Sequence, residues 1–317
     1  MGKEQKYIEM KITCSILCYN YGRYLAQAID SCLNQELGDY QLEVLVIDDG
    51  STDETPEVCQ NYQNRIRVLH SPNQGFGASL DKAIHEASGD YVCLLDADDY
   101  FSSNKILTLL PWIISGYLYI ENNTYYIDPN GKAIDFSTHA GGNTSTLCLN
   151  RVAALSLIPV QNEIFFHPLK SAGHGINIDK ALTFYRVHTS SMMGSKSADV
   201  WYSHLAKVKH NLADKLLLMS QQPPSWTNSS DLKKISKDYQ SHAYYDEMEA
   251  ALQLGQRSKA LLRCVKIFLA AILSRNGLTI WHCKVIIRGL LARPLVFNRD
   301  SYSRHKIICL FLAIIGS

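Results

Sequence analysis

A chain of 317 residues, 46% hydrophobic and 19% charged, has room for one large α/β domain with an appendage, or for two domains. That apolar fraction excludes a disordered chain and a disulfide-dense miniprotein. The formal net charge of +1 is a sum of unlike parts. Residues 1–256 carry 20 Lys/Arg against 29 Asp/Glu, a balance of −9, whereas residues 257–317 carry 11 against one acid, Asp300, a balance of +10. Such asymmetry predicts an acidic body and a basic tail with an anionic partner.

The first hundred residues alternate strand and helix signals. Ile12–Leu17 reads as an apolar strand, and Tyr24–Gln35 has helical spacing through Leu25, Ala28, Ile29, Cys32 and Leu33. Leu42–Ile47 is a second apolar run, of the kind a parallel strand covered on both faces requires, and it stops at Asp48-Asp49-Gly50. Ser51 and Glu54 have the spacing of a capping box and predict a helix start. Ile66–His70, the helical Ala78–Ala87 and the strand Tyr91–Leu95 follow, the last running into Asp96-Ala97-Asp98-Asp99. Repeated βα units predict a doubly wound, mostly parallel sheet flanked by helices, with its ligand at the carboxyl ends of the strands. Both acidic clusters fall at such ends.

Farther on, Ile106–Ile120 contains Pro111 and Gly116 and fits a buried helix leading into a strand better than a membrane span. Asp128-Pro129-Asn130-Gly131 predicts a hairpin turn. From about residue 199 the pattern is helical, broken at Pro223-Pro224. The expected division is therefore 1–198, with a nucleotide-binding half 1–100 and an acceptor half 101–198, followed by a helical, basic region 199–317.

Nine cysteines stand singly with no CxxC pair, which predicts buried, reduced thiols. The charged start MGKEQKYIEMK lacks the apolar core of a signal peptide, and Lys6 stands where myristoylation needs Ser or Thr. The sequons at Asn122, Asn143 and Asn228 carry no meaning in a cytosolic chain.

Four segments carry chemistry: Ser15-Ile-Leu-Cys-Tyr-Asn20; Val46-Ile-Asp-Asp-Gly-Ser-Thr-Asp53; Asn73-Gln-Gly75 leading to Gly89-Asp-Tyr-Val-Cys-Leu-Leu-Asp-Ala-Asp-Asp99; and Leu182-Thr-Phe-Tyr-Arg-Val-His188. One DxD recurs by chance, but the combination is specific. Over residues 10–192 the chain resembles glycosyltransferase family 2, the inverting nucleotide-sugar transferases of GT-A fold. The resemblance implies that Tyr19, Asn20, Asp48 and Asp49 receive the base and ribose. It also implies a carboxylate base at a helix start after the acceptor-side strand, often within a Glu-Asp pair. In the corresponding stretch, 158–166, Glu163 is the only acid, with His167 and Asp179 as fallbacks. Asp81 and Ala83 depart from the family's Asn and Gly after Asn73-Gln-Gly75.

Elementary chemistry points the same way. Departure of a nucleoside diphosphate builds negative charge that carboxylates meet only through a divalent cation. Asp96 is expected at the ribose and Asp98 at the cation, which hard oxygen donors make Mg²⁺ or Mn²⁺. Arg186 and His188, alternating on an expected strand, would offer a fork to the diphosphate and a ligand to the metal. The competing readings are turns or caps for Ser51, Asp53 and Asp99, a first-turn helix acid for Glu163, and a structural pair for Arg186 and His188.

In the tail, Leu261, Leu262, Val265, Phe268, Leu269, Ile272 and Leu273 repeat helically among Arg263 and Lys266. That composition suits an interfacial helix at an anionic leaflet, or a helical subdomain packed on the catalytic domain. No nucleic-acid motif accompanies the charge. The expected function is transfer from a nucleotide diphosphate-sugar, a UDP-sugar, to a glycan or lipid-linked acceptor in surface polysaccharide biosynthesis. The expected place is the cytoplasm or the inner face of the plasma membrane. A non-catalytic nucleotide-sugar-binding module of the same fold is the alternative; a nucleotidyltransferase would need a glycine-rich basic loop that is absent.

Overall fold

A computed structural model describes residues 10–36, 38, 40–134, 137–188, 197–272 and 279–291. The described residues form two compact units, 10–170 with 174–187, and 171–173 with 188–291.

The first unit begins with β1 (Met10–Cys18), α1 (Gly22–Leu33), β2 (Tyr40–Asp48), α2 (Thr55–Gln60), β3 (Arg67–His70), α3 (Phe76–Glu86) and β4 (Tyr91–Asp96). It continues with β5 (Tyr100–Phe101), α4 (Lys105–Ile114), β6 (Tyr119–Ile127), β7 (Leu147–Asn150), α5 (Arg151–Leu155), the single turn α6 (His167–Leu169) and β8 (Gly175–Arg186). One eight-stranded sheet runs in the order β3-β2-β1-β4-β7-β6-β8-β5. β1 pairs in parallel with β2 and β4, with Ile12 opposite both Leu42 and Tyr91, and β2 pairs in parallel with β3. β7 is antiparallel to β4 and β6, and β5 is antiparallel to β8. This is the mostly parallel, helix-flanked sheet that the alternating pattern predicts.

The chain winds from β1 outwards to β3 and then crosses to β4 on the other side of β1. Strand order reverses between β1 and β4, so their carboxyl ends diverge and open a crevice there. Apolar runs explain why these strands are central: Ile12, Ile16, Val46, Leu45, Leu94 and Leu95 are all fully buried. Three thiols share the sheet's interior, Cys14 standing opposite Cys93 and Cys93 opposite Cys148. Seven of the eight described cysteines are buried free thiols, while Cys283 is exposed; Cys309 lies outside the described residues.

Two local expectations are corrected. The helix after β2 starts at Thr55, and Ser51 does not cap it; the Ser51 hydroxyl instead accepts from the Asn20 N–H at 2.9 Å. Asp53 takes over the helix start, accepting from the Thr55 N–H at 3.1 Å and the Gly22 N–H at 2.9 Å, so one carboxylate joins α1 to α2. The expected hairpin keeps its turn, with the Asp128 N–H donating to the Lys132 carbonyl at 2.8 Å, but its return strand is reduced to isolated bridges such as Ile127–Ala133.

The second unit is helical: α7 (Ala198–Met219), α8 (Ser229–Gln253), α9 (Arg257–Ile272) and α10 (Ile280–Leu290). α7 and α8 flank the Pro223-Pro224 break, as expected. α9 and α10 pack on α8 through Ala260, Cys264, Ile267 and Val285 against Met248 and Leu252. Among the described residues no helix is long and apolar enough to cross a membrane. The division by contacts falls after Val187, before the expected boundary at 198.

Candidate active site

β1 ends at the exposed Tyr19 and at Asn20, whose φ of +56° is left-handed, a region Asn tolerates better than most residues. The Asn20 side-chain Oδ1 accepts from the Thr52 N–H at 2.8 Å. The turn after β2 is thereby fastened to the end of β1 from both directions. Within that turn, Asp48 accepts from the Ser51 N–H at 2.9 Å and meets His70 Nδ1 at 2.8 Å. Asp49 accepts from the Gln74 N–H at 3.0 Å and the Gly75 N–H at 2.8 Å. Both carboxylates are buried, and these bonds orient them; each oxygen retains a second lone pair. Gly50 is required directly after them, because at φ +81° a Cβ would lie 2.7 Å from the Asn73 nitrogen.

At the end of β4, the Ser145 hydroxyl is a hub. It accepts from the Asp96 N–H at 3.0 Å and donates to Asp99 at 2.6 Å. Asp99 also accepts from the Arg186 N–H at 2.8 Å, so it ties β8 to the end of β4 and neither caps a helix nor faces the crevice. Burial raises the Asp96 carboxyl well above the ordinary range, and the charges of Asp98 and Glu163 raise it further. Glu163 therefore lies within electrostatic reach of Asp96, although they are 67 positions apart in sequence. It opens a short 3₁₀ turn, Glu163–Phe166, whose start is capped by the Asn162 side chain accepting from the Ile164 N–H at 3.1 Å. The structure brings together three of the expected acids, Asp96, Asp98 and Glu163.

Of the fallbacks, Asp179 is exposed on β8 and accepts from Asn123 at 2.8 Å, while the half-buried His167 ring lies edge-on to Tyr119.

Arg186 is corrected. Its guanidinium is buried and donates to the carbonyls of Asp98 at 2.7 Å, Asp128 at 3.2 Å and Pro129 at 2.8 Å, and to Gln27 Oε1 at 2.6 Å. It also lies over the Tyr24 ring at 4.5 Å. A fork spent on four oxygens fixes the Asp98 backbone and the 128–129 turn rather than standing free in the crevice. His188 lies beyond β8, which ends at Arg186, so the expected alternation of Arg186 and His188 along a strand is absent. His188 is buried and belongs by its contacts to the helical unit.

Sequence reasoning missed several supports. Asp81, noticed only as a departure, accepts from the Val160 N–H at 2.8 Å and so fastens α3 to the segment that delivers Glu163. Gly77 lets that segment approach, since a Cβ there would lie 2.5 Å from the Val160 carbonyl oxygen. Tyr21 feels burial first and then the charges of Asp98 and Asp96, all raising its phenol. Lys105, fully buried, donates to the Ser145 carbonyl at 2.8 Å and to the Thr183 hydroxyl at 3.1 Å, and burial lowers its ammonium to about 8. Nothing marks it in sequence beyond its place before an apolar helix.

Among the described residues no group of three His, Cys, Asp or Glu side chains could by itself hold a metal. The donor set nonetheless fits a hard divalent cation of the Mg²⁺ type. Such an ion is held by one or two carboxylates and substrate phosphates, and crowded carboxylates are relieved by it.

The fold, with acids gathered at the reversal of strand order, is of the GT-A type. Comparison points to the particular family that this stretch resembles: residues 13–156 match Glycosyl transferase family 2. A glycosyltransferase from Nostoc sp. is 34% identical over 141 residues, 43% of each chain. One from Haemophilus influenzae is 35% identical over 140 residues, 39% of this chain and 55% of that one. The matches thus span about half the length of these relatives. Among solved structures, S. aureus TarS in complex with UDP-GlcNAc superposes with a TM-score of 0.57 at 15% identity, over 88% of this chain and 89% of that one.

Proposed function

We propose that this chain transfers a sugar, with inversion, from a nucleoside diphosphate-sugar to a hydroxyl of a glycan or lipid-linked acceptor, in building a surface polysaccharide. The donor we expect first is a UDP-sugar, and the place of work the cytoplasmic face of the plasma membrane. The observation that carries the reading is the meeting of Asp96, Asp98 and Glu163 at the carboxyl end of β4. Like charges gathered in a half-buried crevice raise the energy of the ligand-free state, and a bound cation with a nucleotide offsets that cost.

In this reading the nucleoside lies against Tyr19 and Asn20, with Asp48 and Asp49 fixing the loops around it and Asp96 at the ribose. Asp98 would hold Mg²⁺ or Mn²⁺, which when bound supplies positive charge at the departing diphosphate. Glu163 takes the proton from the acceptor hydroxyl as its oxygen attacks the anomeric carbon. The bond from that carbon to the diphosphate oxygen breaks on the opposite face, and its electron pair leaves with the diphosphate. Arg186 acts at one remove, holding the Asp98 carbonyl.

One feature favours a second reading, a binding module that does not turn over: the stretch 158–166 has a single acid where a pair is expected. Nucleotide release measured across a panel of nucleotide-sugars with Mg²⁺ and Mn²⁺ separates the two. Wild-type turnover, lost in Asp98→Asn with the fold intact, is the expected result. Wild-type rates in that variant would overturn the assignment of Asp98.

A further inference from the structure

α9 divides into two faces. Ala260, Cys264, Ile267 and Ala271 are buried, whereas Leu261, Leu262, Val265, Phe268, Leu269 and Ile272 are each between 43% and 57% exposed. The exposed six recur at steps of three and four and form one stripe along the last three turns of the helix. On α10, Ile287 and Leu290 are 56% and 59% exposed. Scattered apolar side chains on a surface need no explanation, but a continuous stripe marks an interaction site.

Charge identifies the occupant. Residues 257–291 contain seven Lys/Arg and no acid. Arg263 and Arg288 are turned to Glu247 and Glu249 at 2.6 Å each, and Lys266 lies over the Tyr244 ring. Arg257 and Lys259 remain exposed at the start of the stripe, and Lys284 is half-buried on α10. An apolar stripe flanked only by positive charge suits a planar, anionic, apolar-cored partner. A second copy suits it less, because an isologous contact would set two acid-free basic segments against each other.

We propose that the outer face of α9, continued by α10, seats on the surface of an anionic lipid bilayer, its apolar side chains entering the headgroup boundary while Arg257 and Lys259 meet lipid phosphates. This binding is read without sugar transfer, so its failure and that of the catalytic reading are distinguishable. The test is flotation of the full chain with phosphatidylcholine vesicles, with and without phosphatidylglycerol, at low and high salt. The wild type should float with the anionic vesicles at low salt. Its bound fraction should fall at least about fivefold on neutral vesicles or in high salt. Leu262→Glu with Leu269→Glu should lose binding to a similar extent while keeping the wild-type helical signal and melting temperature. Leu262→Met with Leu269→Met, which preserves the apolar face, should bind as the wild type does and covers the case in which the glutamates disturb folding. Absence of wild-type flotation on anionic vesicles would overturn the proposal, as would undiminished flotation of the folded glutamate variant. A concentration-dependent dimer abolished by the same glutamates would assign the face to a second copy and overturn it too.

Discussion

At the end of β4, burial, Asp98 and Glu163 all push the Asp96 carboxyl upward. On α8, Asp246, Glu247 and Glu249 each meet a base, Lys209, Arg263 and Arg288 respectively, at 2.6 Å. Glu247 is even lowered against its burial, by His210 and the Arg263 charge. The helical unit spends basic residues on its own acids, and these acids hold helices together. The strand-end acids crowd one another instead, which is the expected condition of carboxylates placed for a cation and a nucleotide. The difference also divides the tail's positive charge: Arg263 and Arg288 neutralise α8, whereas Arg257 and Lys259 are exposed.

The largest effect expected in breaking this comparison is at Arg288. Replacing it with Met leaves the fully buried Glu249 without its base, which should destabilise the helical unit by about 3–5 kcal/mol in urea unfolding. Adding Glu249→Leu should recover most of that loss; a single substitution costing under about 1 kcal/mol would show that the pair does not hold the unit. On the other side, Asp81→Ala removes the acceptor for the Val160 N–H. It should cost about 1–3 kcal/mol and lower turnover while leaving donor affinity in place, because it frees the segment carrying Glu163. Equal loss of donor affinity would show that Asp81 serves the nucleotide instead.

A smaller effect should appear on acidification. Burial, then the charge of Lys209 and of His282, lowers His242 to about 3. Between the ordinary histidine value and that one, the unfolded chain binds a proton that the folded chain refuses. Stability is therefore present at neutral pH and lost as pH falls through the window. From pH 7.5 to 5.5 the loss should be about 1 kcal/mol, and His242→Phe should remove it. A pH-independent wild type would contradict the burial of a neutral ring.

Much of the sheet was legible because periodicity of two kinds is written locally: β1, β2, β3 and β4 and the helices between them fall within a few residues of their expected positions. The acidic strand ends were legible for the same reason, since a doubly wound sheet assigns its crevice before any side chain is placed. What escaped depends on partners far apart in sequence. Ser51 reads as a cap until Asn20 arrives from the neighbouring strand. Arg186 reads as a free fork until the carbonyls of Asp98, Asp128 and Pro129 close on it. Asp81 has no local signature at all, because its partner is a backbone N–H 79 positions away.

The central claim is that Glu163 acts as base in a site built on Asp96 and Asp98. Its most direct test is single-turnover transfer by Glu163→Gln, with donor binding measured in parallel. Donor affinity should stay at the wild-type value while the transfer rate falls by roughly 10²–10⁴. An unchanged transfer rate in a folded, donor-binding variant would contradict the claim.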